Sequence, residues 1–348
     1  MADGDSLGPQ QARIGRGGLM SAFVEAQGWA GTRPVLLAGD ASFRKYYRLE
    51  RGGERAVLMD APPPEEDVRP FIAVGTALRE YGLSAPEILA ADIHHGFLLL
   101  EDFGDDTYTR LLARGANEAA LYALAVDTLI ALHRRAGDAA SVPVPPYDEE
   151  RLLAEAALLV DWYVPEMLGQ PLPADMRQAY LAAWRKILPQ AALPQPTLVL
   201  RDFHIDNLML LPGRTGVRAC GLLDFQDALR GPASYDLASL LEDARREVPP
   251  ALRRAMTERY VAAFPDLDRA AFARSTAILA AQRNCKIVGI FTRLCRRDGK
   301  PQYLSHIPRV WRLLDEDLRD PALAPVARWL DCNLPRHARR QPAPERAG

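Results

Sequence analysis

Apolar residues recur at helical spacing over residues 19–30, and then the period changes. Residues 35–37, 46–49 and 56–59 are short β-type runs separated by two glycine-containing turns, Ala38-Gly39-Asp40-Ala41-Ser42 and Arg51-Gly52-Gly53-Glu54. Val68, Phe71, Ile72, Val74 and Leu78 restore the helical period and predict a helix over 66–81. Two further strand-like runs, 88–90 and 97–100, flank a His94-His95-Gly96 turn. The first hundred residues therefore predict a sheet with one inserted helix.

Beyond residue 101 the pattern becomes helical, over 107–135, 148–168 and 174–189, with the stiff stretch SVPVPPY at 141–147. A small β-rich island at 197–200 and 217–223 carries two acidic loops, and 234–332 returns to mainly helical spacing. The expected class is α+β: a β-rich lobe over 19–104 and a larger helical lobe over 105–332. Residues 1–18 and 333–348 lack periodicity and are expected to be disordered, the basic tail merely solvated.

Composition narrows the function. The 43 Lys and Arg against 45 Asp and Glu give a net charge of −2, which lacks the overall basic signature of nucleic-acid binding. Only Lys45, Lys186, Lys286 and Lys300 are lysine, so a lysine-dependent chemistry has few candidates. Cys220, Cys285, Cys295 and Cys332 form no CxxC pair and read as reduced thiols. The first residues have no apolar core, and no apolar run reaches the length of a membrane span. A cytoplasmic, monomeric protein without membrane or nucleic-acid partners is expected.

The strongest chemical signal is Leu200-Arg201-Asp202-Phe203-His204-Ile205-Asp206-Asn207, followed by Leu223-Asp224-Phe225-Gln226-Asp227. A strand fixes the backbone, and the loop after it presents a carboxylate. Phosphoryl transfer needs one carboxylate to take a hydroxyl proton, and a second carboxylate with a carbonyl oxygen to hold Mg²⁺. Asp202 suits the first task; Asn207 and Asp224 suit the second. A metal-hydrolase set of His204, Asp202 and Asp206 lacks a second histidine at local spacing. His204 reads instead as an orienting group within the loop.

These two motifs, with Gly231-Pro232 and Tyr235-Asp236-Leu237-Ala238, resemble the aminoglycoside phosphotransferase family over most of residues 19–330. The resemblance implies a bilobal protein-kinase-like fold, ATP as donor, Asp202 as base, Mg²⁺ on Asn207 and Asp224, and Asp236 as a buttress of the catalytic loop. A helix N-cap is the alternative for Asp236. Asp227 is either an orienter of the metal loop or a turn residue. More narrowly, GDASFRKYYRL (39–49), LLLEDFG (98–104) and AQRNCKIVGIFTRL (281–294) resemble the cell-wall sugar kinases. Those enzymes phosphorylate the anomeric hydroxyl of N-acetylmuramate and N-acetylglucosamine, which makes a small amino sugar the expected substrate.

Two departures matter. The strand expected to carry the phosphate-binding lysine reads Ala56-Val57-Leu58-Met59-Asp60, without one. Arg44 or Lys45, after the 39–42 turn with Ser42, is expected to supply that charge. Asp102-Phe103-Gly104 spells the kinase metal motif but precedes the catalytic loop. It resembles the hinge, where the backbone around Glu101 and Phe103 would pair with adenine. On the helix around 278–294, Arg283 and Asn284 lie toward the inward side. Arg283 either pairs with Glu242 or Asp243 or, with Arg245, meets a sugar carboxylate. Kinases of antibiotics or of other small alcohols, and a non-catalytic nucleotide-binding regulator, stay open as alternatives. A polycationic antibiotic fits poorly with Arg245, Arg246, Arg283, Lys286 and Arg293.

Overall fold

The computed structural model describes residues 15–39 and 43–344. They fall into two compact units: residues through Ile72 with Pro86–Gly104, and Ala73–Ala85 with the chain from Asp105 onward.

In the first unit α1 (Arg16–Ala26) precedes β1 (Val35–Gly39), β2 (Lys45–Arg51) and β3 (Glu54–Asp60). Helix α2 (Arg69–Glu80) leads to β4 (Ile88–Asp92) and β5 (Phe97–Glu101). The strands form one antiparallel sheet in the order β1-β2-β3-β5-β4. Alternate side chains of β3 and β5, Ala56, Leu58, Phe97 and Leu99, share one face and pack with Phe23, Val24 and Trp29. Helix α1 begins three residues before the expected 19, inside the stretch expected to be disordered. Arg16 explains the difference: it bonds Asp60 and the His95 carbonyl and lies 4.1 Å over the Phe97 ring. Gly96 turns β4 into β5 at φ +73°, and a Cβ there would sit 2.0 Å from the Ala61 oxygen. No other residue fits.

Residues 73–85, expected with the first lobe, belong to the second unit. Gly75 lies against the Phe225 ring, and Ser84 pairs with the strand carrying Gly221 and Leu222. The helical run expected at 107–135 is two helices, α3 (Tyr108–Ala113) and α4 (Glu118–His133). Gly115 at φ +84° breaks them, and Asn117 caps the second by accepting the Ala120 N–H. Helix α5 (Glu149–Leu158) passes through a π turn at Leu159–Tyr163 into α6 (Val164–Leu168). Pro165 has no N–H for the Asp161 carbonyl, so the ladder widens there. Helix α7 (Ala174–Ile187) follows.

The β island is two antiparallel pairs. Strand β6 (Thr197–Val199) pairs with β9 (Leu229–Gly231), and β7 (Leu208–Leu210) with β8 (Cys220–Leu222). The run expected at 217–223 opens as a 3₁₀ turn, Gly216–Ala219, and only its second half is strand. Helices α8 (Ser234–Leu241), α9 (Pro250–Ala262), α10 (Arg269–Asp298), α11 (Ile307–Asp317) and α12 (Ala324–Asn333) complete the chain.

Helix α10 runs for 30 residues, from an Asp268 cap to Gly299 at φ +65°. A Cβ on its Gly289 would meet the Leu158 carbonyl carbon and oxygen at 2.3 Å, so glycine is what lets the helix touch the π turn. Most of the described tail is exposed, but not all of it is merely solvated. Arg339, with 3% of its side chain exposed, pairs with Asp315 and Asp331 at 2.8 and 2.6 Å. It also lies over the Trp311 ring. His133 packs inside with its Nδ1 2.7 Å from the Tyr260 hydroxyl, and burial pushes it down to about 3, so it stays neutral. All four cysteines are free. Among the described residues no helix is long and apolar enough to cross a membrane.

Candidate active site

The catalytic-loop candidate leaves β6 at Leu200. The two Asp236 carboxylate oxygens accept the N–H groups of Leu200 (2.7 Å) and Arg201 (2.9 Å), and the Ser239 hydroxyl donates to the Arg201 carbonyl at 3.1 Å. Asp236 is fully buried in the first turn of α8, whose N-cap is Ala233. It is thus the loop's buttress and not a helix cap. Burial pushes its carboxyl up to about 7, against the two N–H donors that pull it down.

Among the described residues only two that are not glycine have left-handed backbone: Arg201 (φ +67°) and Asp224 (φ +56°). Such strain persists where the surroundings enforce it, and functional sites collect it. Arg201 immediately precedes Asp202, and Asp224 is the metal candidate itself.

Burial alone would raise the Asp202 carboxyl. Lys286 first, then His204, Arg201 and Arg283, reverse that and hold it below the ordinary range. It is therefore ionised at neutral pH, the state that a general base would need. A 3₁₀ turn, Ile205–Asn207, brings the Asn207 side chain back so that Nδ2 donates to the Asp202 carbonyl at 2.9 Å. The β7–β8 hairpin then returns the chain, with the Leu223 N–H on the Asn207 carbonyl at 3.0 Å. Asn207 and Asp224, 17 positions apart, thereby meet with Nδ2 3.5 Å from Oδ2. Gln226 Nε2 steadies Asp224 at 2.8 Å and reaches Asp227 at 3.3 Å. The Asp227 main-chain carbonyl also accepts from Arg201 at 3.4 Å.

An amide oxygen and a carboxylate are the hard donors that suit Mg²⁺, which a protein holds with few ligands and leaves open to phosphate. The hydrolase set does not assemble. Asp206 turns away to the Thr109 hydroxyl and to Arg245, 3.5 Å off. Among the described residues no three His, Cys, Asp or Glu side chains converge as a metal cage. His204, buried, has Nε2 3.4 Å from Asn207 Nδ2, as an orienting group would.

Helix α10 divides its candidates. Arg283, 6% exposed, donates to the Glu242 carbonyl at 3.1 Å and makes no ion pair among the described residues. The expected pairing with Glu242 or Asp243 is not what holds it. Asn284 does not join the site. It is fully buried, and its amide nitrogen donates to Glu242 (2.8 Å) and Asp317 (2.9 Å), two carboxyls that burial pushes up. Arg245 lies over the Phe291 ring, and its Nε is the Asp206 partner.

Sequence reasoning missed Glu155, Gln226, Gln282 and Lys286. Glu155 bonds Arg201, Lys286, Tyr147 and Gln282. The scarcity of lysine was the one signal that pointed at Lys286.

In the first unit Arg44 and Lys45 part company. Arg44 is largely covered, its Nε 3.6 Å from Glu66, while Lys45 opens β2 and is exposed. Ser42 lies outside the described residues. Asp102 is locked by Arg48 at 2.6 and 3.0 Å and accepts the Gly104 N–H at 2.8 Å. The Asp-Phe-Gly carboxylate is thus tied to Arg48 and to its own turn. The Glu101 N–H is spent on the Glu87 carbonyl at 2.8 Å, and Phe103 is half-buried.

Residues 35–273 match the model of the phosphotransferase enzyme family. An N-acetylmuramate/N-acetylglucosamine kinase of Caulobacter vibrioides is 38% identical over 92% of this chain and 97% of its own. A kinase of the same name from Pseudomonas aeruginosa is 40% identical over 90% and 93%. Among solved structures, a choline/ethanolamine kinase family protein from Mesorhizobium loti superposes with a TM-score of 0.61 at 14% identity, covering 91% of this chain and 98% of that one. That last likeness is one of fold, and it matches a five-stranded sheet followed by a helical part. A family match across both acidic loops and relatives this similar along nearly the whole length leave one conclusion: the chain belongs to the phosphotransferase enzyme family, and it transfers a phosphoryl group to an alcohol.

Proposed function

We propose that the chain moves the γ-phosphoryl group of ATP to the C1 hydroxyl of N-acetylmuramate and N-acetylglucosamine, giving the α-1-phosphate. What carries the reading is one juxtaposition: Asn207 Nδ2 lies 2.9 Å from the Asp202 main-chain carbonyl and 3.5 Å from Asp224, which supports one loop cluster holding the residues read as base and metal ligands. The curated relatives share the substrate name.

Asp202 takes the proton of the C1 hydroxyl as the oxygen–phosphorus bond forms and the bond to ADP breaks. Asn207 and Asp224 would hold Mg²⁺, which when bound neutralises charge on the β- and γ-phosphates. His204, Gln226, Asp227 and Asp236 keep these groups oriented. Arg283 and Arg245 supply the cation that the lactyl carboxylate of N-acetylmuramate calls for, with a guanidinium fork that matches it. Arg44, backed by Glu66, stands in for the missing strand lysine, and the backbone near Glu101 and Phe103 receives adenine.

The test is ADP release from Mg²⁺-ATP with N-acetylmuramate, N-acetylglucosamine, glucose and kanamycin. Turnover of the two N-acetyl sugars, abolished in Asp202→Asn, is the expected result. Turnover of kanamycin alone would keep the fold and overturn the substrate.

A further inference from the structure

Arginine is an odd residue to find left-handed. Glycine takes that backbone without penalty, whereas a side chain crowds the following carbonyl. Arg201 adopts it one position before Asp202, which suggests that its side chain is being used.

That side chain ends on the carboxylate of Glu155 in α5, with a longer bond from its other terminal nitrogen to the Asp227 carbonyl at 3.4 Å. Glu155 Oε1 accepts from Arg201 Nη2 and from Lys286 Nζ at 3.1 Å. Oε2 accepts from the Tyr147 hydroxyl and from Gln282 Nε2 at 3.2 Å. Both oxygens thus carry two donors each, which fills a carboxylate. Only 14% of the side chain is exposed. The donors arrive from separate stretches of chain: the segment before α5, the loop after β6, and α10, where Gln282 and Lys286 stand four apart on one face. Asp236 and Ser239 hold the N–H and C=O of Arg201; Glu155 holds its far end.

We propose that Glu155 is a positioning residue: by anchoring the Arg201 guanidinium to α5 and α10 it keeps Arg201 left-handed and so aims Asp202. The inference rests on the reading of Asp202 as the base. Release of the guanidinium would let residue 201 relax to ordinary backbone, turning the next residue's carboxylate away from the acceptor.

The experiment compares kcat and KM for Arg201→Ala, Arg201→Gly, Glu155→Gln, the Arg201→Gly/Glu155→Gln double variant and Asp202→Asn. Substrates are Mg²⁺-ATP and N-acetylglucosamine, and each rate is referred to the folded fraction from a thermal melt. Alanine and glycine remove the same ion pair, but only glycine takes the left-handed backbone unaided. Arg201→Ala and Glu155→Gln should lower kcat by about tenfold, with both KM values within about twofold. Arg201→Gly should keep clearly more kcat than Arg201→Ala, and Glu155→Gln should cost less in the glycine background than in the native chain. Glycine no better than alanine, or an equal Glu155→Gln penalty in both backgrounds, overturns the clamp. Turnover surviving Asp202→Asn would instead overturn the assignment of the base.

Discussion

Replacing Glu155 by glutamine tests the electrostatics of the second unit directly. Burial alone would raise the Glu155 carboxyl, but Lys286 and Arg201, helped by the Tyr147 hydroxyl, hold it at about 2 against an ordinary 4.5. A carboxyl whose folded value is depressed contributes stability above its unfolded value and loses it as pH falls toward the folded one. The difference of about 2.5 units corresponds to about 3.4 kcal/mol at pH 7, falling to about 1.4 kcal/mol at pH 3. Glutamine removes this contribution and leaves two cations short of a partner, an added penalty that pH does not change in this range. Four of the five tryptophans, Trp162, Trp184, Trp311 and Trp329, lie in the unit that holds Glu155. Urea unfolding followed by their emission at pH 7 and pH 3, native against Glu155→Gln, therefore reads the right unit. The gap between the two proteins should shrink by about 2 kcal/mol on acidification. A gap that stays constant, or one below about 1 kcal/mol at pH 7, would refute the reasoning.

Other substitutions should separate packing from chemistry. Asp236→Asn presents an amide donor to a buried backbone N–H and should cost about 3 kcal/mol in urea unfolding, with kcat falling in the folded fraction. Arg44→Ala should raise the KM for ATP several-fold while Lys45→Ala leaves it within about twofold; equal effects would contradict the division of roles between a covered and an exposed cation. Gly289→Ala drives a Cβ into the Leu158 carbonyl and should cost about 3 kcal/mol or more, measured by thermal melting.

Much of this molecule is legible in its sequence because local chemistry dominates there. The sheet strands of the first unit follow from alternation and glycine turns, and the two acidic loops follow from residue type and spacing. What escaped has a common cause. Strands β7 and β9 are three residues each and directly continue the two acidic loops, so no separate apolar run marks them. Residues 73–85 look like the end of the first lobe along the chain, yet Phe225 and Gly221 claim them in space. Asn284 has the right helical phase to reach a substrate but meets two buried carboxyls first. Glu155 sits in an ordinary-looking helix, and only the fold brings it to Arg201. Within the mostly exposed tail, Arg339 departs from the expectation for the same reason: two aspartates from other helices receive it.

Gly289 stands three residues beyond Lys286 and six beyond Arg283 on the same continuous helical rod. Each residue along such a rod advances it by about 1.5 Å. The close approach at Gly289 therefore works as a dowel: it indexes how far α10 is driven in, and with it the depth of both cations. A change of acceptor through new side chains at 282–286 is open only while that dowel stays seated. Residues at the π turn, remote from any phosphate, thus belong to the calibration of the enzyme as well as to its scaffold.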